Sequence, residues 1–521
     1  MSSSNPHREG NEDAFIDADE AEEIFTHDED HPMDSDNEDA DGDQEMAFEE
    51  QEITLQNDSA AHFDLHNDSI FCIAQHPIHN AIVVTGSGDD TAYVFDSTPN
   101  AERPLLPASY ESDPQPRRER DSLQPIVKMD GHTDSVNAVA FTEPRGEYIV
   151  TAGLDGRLRA WRDTSAQQAG TSWEFVAEAQ EVEEVNWVAV CPAGNGDEAK
   201  GNVVAIGGND GSAWVFRINH NDSSQPISIV QSFFQHTGPC TAGAWTPDGN
   251  LLATVSEDGS FYVYDVFGAA AAAGVSYSAG TSAVVGLTAE DQRFAVEGGL
   301  YSVAISPGGG IAAVGGAEGH IKVIGLPRLG SANAAASKAR GKGPATQTSA
   351  ATAGTLLASL QPQTDSVETL SFSAPPLTLL AAGSVDGSIA LFDAAHRFAV
   401  RRHIREAHEG AVVKVEFLKS RADGAPLARP TPLASAAAAA NQGRPWLLTS
   451  VGIDGVVRRW DARGGTAAAA HGLLNEWKGH LGLTENDEGE QAGGIMGFVQ
   501  GFDGKRVTTA GDDGISLVFE E

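Results

Sequence analysis

Short stretches in which apolar and polar residues alternate, broken by Gly and Asp, recur along most of this chain. Alternation with this period turns every second side chain to one face of an extended segment, so each stretch reads as a short antiparallel strand. The clearest copy begins Gly131-His132-Thr133-Asp134-Ser135-Val136 and resumes at Tyr148-Ile149-Val150-Thr151, followed by Asp155-Gly156 and Trp161. In it a His stands four positions before the apolar residue that opens a strand, and a turn Asp stands six before a closing aromatic. The second spacing returns at Asp89 and Phe95, Asp210 and Phe216, Asp258 and Tyr264, Asp386 and Phe392, Asp454 and Trp460, and Asp513 and Phe519, with Glu318 and Ile324 as a weakened copy. Eight copies of a four-stranded unit predict an all-β, eight-bladed propeller.

A carboxylate and an imidazole buried at one turn need partners, because an unpaired buried polar group costs about 1–3 kcal/mol. On these residues the chain resembles the WD-repeat (WD40) family, whose blades join a turn Asp, a loop His, a strand Ser or Thr and a Trp in a hydrogen-bonded tetrad. The resemblance implies complete tetrads in blade two (His132, Thr151, Asp155, Trp161) and blade seven (His408, Ser450, Asp454, Trp460). Blades one, four and eight keep His66, His236 and His480 with Thr85, Thr254 and Thr509, but their aromatics lack an indole N–H, so weaker corners are expected. Blades three, five and six carry Ile206, Val314 and Ala382 in place of the hydroxyl and should rely on apolar packing. A closed ring needs a strand from each end of the chain, since an open edge invites aggregation. The alternating segment near 52–58 is the expected closing strand, giving a propeller over 52–521.

Charge narrows the choice of partner. The formal net charge is −42, and residues 1–50 hold 20 Asp/Glu against the single Arg8. Residues 1–51, acidic and without a sustained period, are expected to form a disordered tail. The rest of the chain is also acidic; such a field repels nucleic-acid phosphates and anionic lipid and draws in basic partners across a Debye length of about 8 Å. No direct nucleic-acid or membrane partner is therefore expected, and a ring with covered edges should be a monomer. Cys72, Cys191 and Cys240 lack metal-ligand spacing and point to a reducing compartment, the cytoplasm or the nucleus. Segments 97–122, 266–292, 326–355, 418–444 and 481–494 read as surface loops.

Catalytic patterns are missing: there is no Gly-x-Ser-x-Gly turn, and Gly341-Lys342 lacks the upstream glycine of a phosphate loop. His408-Glu409 opens like a zinc-protease motif, but Val412 stands where the second His would be. His62 with His66 and His76 with His79 have no carboxylate or Cys completing a ligand set. Neither an enzyme, a cofactor nor a metal is expected.

In a propeller the His loops and the turn-Asp loops open on one face, and this chain places acids there. Glu181, Glu183 and Glu184 occupy the His loop of blade three, and Glu257 and Asp512 precede the turn Asp of blades four and eight. Asp134, Asp365, Glu368 and Glu409 lie in or just after the His loops of blades two, six and seven. Carboxylates gathered round one opening repel each other, and a Lys/Arg-rich ligand relieves that repulsion. An extended basic segment is the expected partner, with its apolar side chains resting on Phe71, Trp187 and Tyr301.

The runs Ile53-Thr54-Leu55-Gln56-Asn57-Asp58-Ser59, Ile73-Ala74-Gln75-His76-Pro77-Ile78-His79 and Thr85-Gly86-Ser87-Gly88-Asp89-Asp90 are more distinctive. They resemble the angio-associated migratory cell protein family, whose fungal member is a WD-repeat ribosome-assembly factor. The resemblance implies a dedicated chaperone that holds the basic N-terminal segment of a large-subunit ribosomal protein until it is loaded onto late 60S particles. Animal members are associated with cell migration. A scaffold for signalling or ubiquitin-ligase assembly is the rival reading, and a histone chaperone would share the charge logic.

Overall fold

A computed structural model describes residues 56–99, 121–166, 169–194, 197–278, 282–329, 353–419, 444–463, 472–482, 484–485 and 491–521. Leu55–Glu521 forms one compact unit. Met1–Thr54 lies outside the described residues, and with it the expectation of a disordered tail; so do most of the expected loops 97–122, 326–355 and 418–444.

The compact unit is the predicted eight-bladed propeller. Eight four-stranded antiparallel sheets follow one another along the chain. Their inner strands are Ile70–Gln75, Val136–Phe141, Val185–Val190, Cys240–Trp245, Leu300–Ile305, Val367–Phe372, Val412–Phe417 and Ile495–Gln500. Each inner strand packs beside the next, and the eighth beside the first. The hydrophobic core is correspondingly divided into eight clusters, one between each pair of neighbouring blades. The second strand of every blade is buried almost throughout, as in Ile82–Ser87 and Leu447–Gly452. That is why these segments read as continuous apolar runs instead of strict alternation.

Side chains stitch the inner strands together near one end. Cys72 Sγ reaches Val136 O at 3.4 Å, Asn137 Nδ2 donates to Val185 O at 2.5 Å, and Asn186 Nδ2 donates to Cys240 O at 3.2 Å. Thr241 Oγ1 continues to Leu300 O at 2.6 Å and Ser302 Oγ to Val367 O at 2.7 Å. Each bond is made to a carbonyl at the start of the following blade.

Closure is by Ala61–Phe63, which pairs antiparallel with Ser516–Val518 and completes the sheet of blade eight. The closing strand is thus a few residues later than the expected 52–58: residues 56–58 form no strand, and 52–55 lie outside the described residues. The physical reason is burial. Ala61 and Phe63 turn inward, and the Phe63 ring stacks on Phe95 of blade one with centroids 4.3 Å apart. A second correction concerns 266–292, expected as a loop, where the short apolar run Ala283–Leu287 forms the outer strand of blade four.

Phe63 therefore joins the two ends of the chain through packing as well as pairing. Replacing it by Ala is expected to cost about 3–5 kcal/mol, measured as a fall in the urea midpoint, whereas the exposed neighbour Asp64→Ala should change stability by less than about 0.5 kcal/mol. Equal small effects would show that closure does not depend on this ring.

Candidate functional site

The corners are built as the repeat requires. In blade two His132 Nδ1 lies 3.1 Å from Asp155 and Nε2 2.9 Å from Thr151 Oγ1, which receives the Trp161 Nε1–H at 3.4 Å. Blade seven repeats this with His408 Nδ1 to Asp454 at 2.9 Å, Nε2 to Ser450 Oγ at 2.8 Å, and Trp460 Nε1 to Ser450 at 2.8 Å. His66 and His480 make the same two bonds without the indole. Blade four departs from expectation: His236 Nδ1 donates to Ser260 Oγ at 2.6 Å, and Asp258 Oδ1 stands back at 3.9 Å. The Ser260 hydroxyl passes the interaction on to Asp258, which also accepts from Thr237 N at 2.6 Å. A Ser two residues after the turn Asp is the signal that could have announced this relay.

Burial depresses the imidazoles of His66, His132 and His408 despite their Asp partners, which favours the neutral ring in the folded chain. Burial would raise Asp155, but the hydrogen bonds from Arg157 N, Thr133 N and His132 outweigh it and hold the carboxyl below its usual range. Asp89, Asp454 and Asp513 are lowered for the same reason.

These corners fix the loops of one face. In all eight blades the residue before the turn Asp, or before Glu318 in blade five, donates its N–H to the carbonyl just ahead of the inner strand, from Gly88 N to Ser69 O through Asp512 N to Gly494 O. Every inner strand then carries a β-bulge immediately after its first residue. The bulged residues are Phe71, Asn137, Asn186, Thr241, Tyr301, Glu368, Val413 and Met496, one per blade round the opening. A bulge leaves its extra residue outside the ladder and re-aims the side chain. Asn137, Asn186 and Thr241 spend theirs on the stitching bonds to the next blade. Phe71 and Glu368 are exposed, and Tyr301, Val413 and Met496 are half-buried.

The acids named from the sequence lie on this face. Asp134, Glu181, Glu183, Glu184, Glu257, Asp365, Glu368 and Glu409 are exposed and Asp512 is half-buried, its carboxylate accepting from Gly493 N at 2.5 Å. Glu257, Tyr301 and Glu368 form one electrostatic neighbourhood across blades four to six. Burial raises the Tyr301 hydroxyl, and both carboxylates raise it further. Although the Glu368 side chain is accessible to solvent, the protein crowded round the opening strips part of its hydration and raises the carboxyl, and Asp365 adds to it. The Tyr301 hydroxyl donates to Gly298 O at 2.6 Å, which holds the ring in place.

Trp187 is placed differently from the expectation that it offers an open apolar platform. Its indole is wedged between blades three and four over Gly207 and Gly243, where a Cβ would collide with the ring, and Nε1 donates to Cys240 O at 3.1 Å. The bulge position next to it, Asn186, donates to the same carbonyl. Sequence reading also missed Asp68. Asp68, Asp134 and Asp365 each accept from the following Ser N at 2.7 Å, so the recurring Asp-Ser-apolar triplet was the available signal. Among the described residues no group of three His, Cys, Asp or Glu could hold a metal ion.

Eight blades, five of them with a His at the Asp corner, and one acid-rich face define a WD-repeat propeller with an acidic mouth. Consistently, the WD domain, G-beta repeat model matches residues 58–96, 123–162 and 227–265. The structure of Sqt1 from Chaetomium thermophilum, solved bound to the N-terminus of the ribosomal protein L10, is 48% identical, covers 89% of this chain and 100% of that one, and superposes with a TM-score of 0.70. The ribosome assembly protein SQT1 of Saccharomyces cerevisiae is 28% identical over 45% of this chain and 48% of its own length, so that match spans about half of the relative. The human angio-associated migratory cell protein is 23% identical over 89% of this chain and 80% of its own. The chain belongs to the Sqt1 family of WD-repeat proteins.

The corners make stability depend on pH. Unfolding frees the depressed His66, His132 and His408 to take protons near pH 6.5, so the unfolded state gains protons as pH falls below that value. The depressed Asp89, Asp155, Asp454 and Asp513 contribute stability that is lost only at lower pH, as it falls through their folded values. Both effects have the same sign. The urea midpoint should be level between about pH 7 and 8 and decline from about pH 6.5 downward; a level or rising midpoint to about pH 5.5 would contradict the assignment of neutral corner imidazoles.

Proposed function

We propose that this protein is a dedicated chaperone that captures the basic N-terminal segment of a large-subunit ribosomal protein on its acidic mouth and delivers it to late 60S particles, working in the cytoplasm. The observation that carries the reading is the pairing of that mouth with a relative, 48% identical, solved bound to the N-terminus of ribosomal protein L10. The mouth has the chemistry such a segment needs. Its rim is rich in carboxylates, Phe71 and Tyr301 supply aromatic surface between them, and the stitched inner strands hold both in place before the client arrives. Preorganisation of this kind spares the entropy of ordering a site on binding. The client, extended and cationic, loses its self-repulsion and its tendency to aggregate when its Lys and Arg side chains pair with the rim. Release requires no chemistry, only a competing anionic surface on the assembling particle.

Titration with a synthetic L10 N-terminal segment tests this. The wild-type chain should bind it, and the combined Glu257→Lys, Glu368→Lys and Asp512→Lys variant should lose about 100-fold or more in affinity, since juxtaposed like charges cost several kcal/mol, with its thermal midpoint unchanged. A well-folded wild type that does not bind would sink the chaperone reading and favour a scaffold.

A further inference from the structure

The corner of blade three differs from the others in a way that closure does not require. In blades one and four the aromatic four residues after the turn Asp packs edge-on against the corner His, Tyr93 on His66 at 4.9 Å and Tyr262 on His236 at 5.0 Å. In blade three the His position holds the exposed Glu181, and the buried Val182 beside it joins the local core. Trp214 occupies the aromatic position and packs against that same core cluster. Its Nε1 donates to Ser212 Oγ at 2.9 Å, and the Ser212 hydroxyl donates to Asp210 at 2.6 Å, so the indole is held without any His.

What covers the outer side of Trp214 is Phe234, perpendicular to it with centroids 5.5 Å apart. Phe234 is 63% exposed, more than any other large apolar side chain among the described residues. Its neighbour Phe233 does the structural work, buried and stacked on Tyr264 at 3.9 Å. Blades three, five and six all lack the His and fill the corner with a buried residue, Val182, Val296 and Gln363; of the three only blade three carries an aromatic four residues after the turn position, where blades five and six have Lys322 and Ala390. Glu181, Glu183 and Glu184 are exposed on the loop that meets this corner, where Glu184 O accepts from Asn209 N at 3.2 Å; Arg157, across from Gln180 in blade two, already lies 4.0 Å from Asp155 and Glu178.

We propose that the blade-three corner is an outer subsite of the same binding face, taking one Arg or Lys of the client whose stem lies on Phe234 and whose charge is paired by the carboxylates of loop 181–184. This rests on the client-capture reading above and adds to it a place where the segment leaves the mouth. An exposed aromatic ring at a corner whose loop carries exposed carboxylates suits a cation with an apolar stem, since stacking and pairing act on different parts of one side chain. An uncharged apolar ligand would leave three carboxylates beside it unpaired, and an anion would be repelled.

The same L10 N-terminal segment serves as the probe. Phe234→Ala should weaken binding about two- to fivefold, the range of an exposed cation–aromatic contact, while Phe234→Trp retains it and neither change alters the unfolding midpoint. Glu183→Gln with Glu184→Gln should weaken binding to a similar extent, and the loss should shrink when one client cation is replaced by Gln. Unchanged affinity in the Phe234 and Glu183/Glu184 variants, with binding still abolished by reversal of Glu257, Glu368 and Asp512, would overturn the outer subsite alone. Failure of the wild type to bind would overturn it together with the reading on which it rests.

Discussion

Eight sheets can stand round one axis only if every seam between neighbours is filled and one sheet takes strands from both ends of the chain. In this protein the second condition rests on three residues, Ala61–Phe63, laid against the strand near the far terminus. The core obeys the same constraint. It has no single centre; each of its eight clusters belongs to two blades at once, so no blade can bury its apolar faces alone. Stability is thereby placed in the seams, and the loops on the two faces are left to vary. A large acidic load can be carried on such a frame because it sits on loops and rims, outside the packed interfaces.

The mouth is made by the same devices that build the ring. Corner bonds between His loop and turn Asp hold the loops, the N–H groups ahead of the turns tie them to the inner strands, and a bulge in each inner strand brings one side chain to the opening. At blades two to four that side chain is used for cross-bracing, through Asn137, Asn186 and Thr241. At blades one, five and six the same position carries Phe71, Tyr301 and Glu368. Cross-bracing and the side chains at the opening thus divide one ring of equivalent positions between them. The contrast is informative because the backbone is alike in both cases and only the side chain decides.

Much of this was legible beforehand. The Asp-to-aromatic spacing counts the blades, since it reflects one turn and one strand of fixed length. The acids chosen by their distance from the turn Asp or the strand opening all lie on one face, since loop position follows from the repeat. What could not be read depends on residues distant in sequence. Trp187 becomes a wedge only because Gly207 and Gly243, on two other strands, leave room for its ring. The closing strand is too short to show a period, and its register is set by Phe95 and Val518 on opposite ends of the chain. A β-bulge has no sequence mark, so the residue that each inner strand turns toward the opening cannot be told from its neighbours.

The central claim is that recognition at the mouth is electrostatic capture on a preformed rim. It is tested most directly by the affinity of the intact protein for the L10 N-terminal segment across a salt series, from about 50 to about 500 mM, where the screening length contracts from roughly a dozen ångströms to a few. The account predicts a steep, continuous loss of affinity with salt while the fold stays intact. Affinity that holds constant across the series would contradict it, placing the binding energy in apolar contacts and leaving the carboxylate rim without a part in capture.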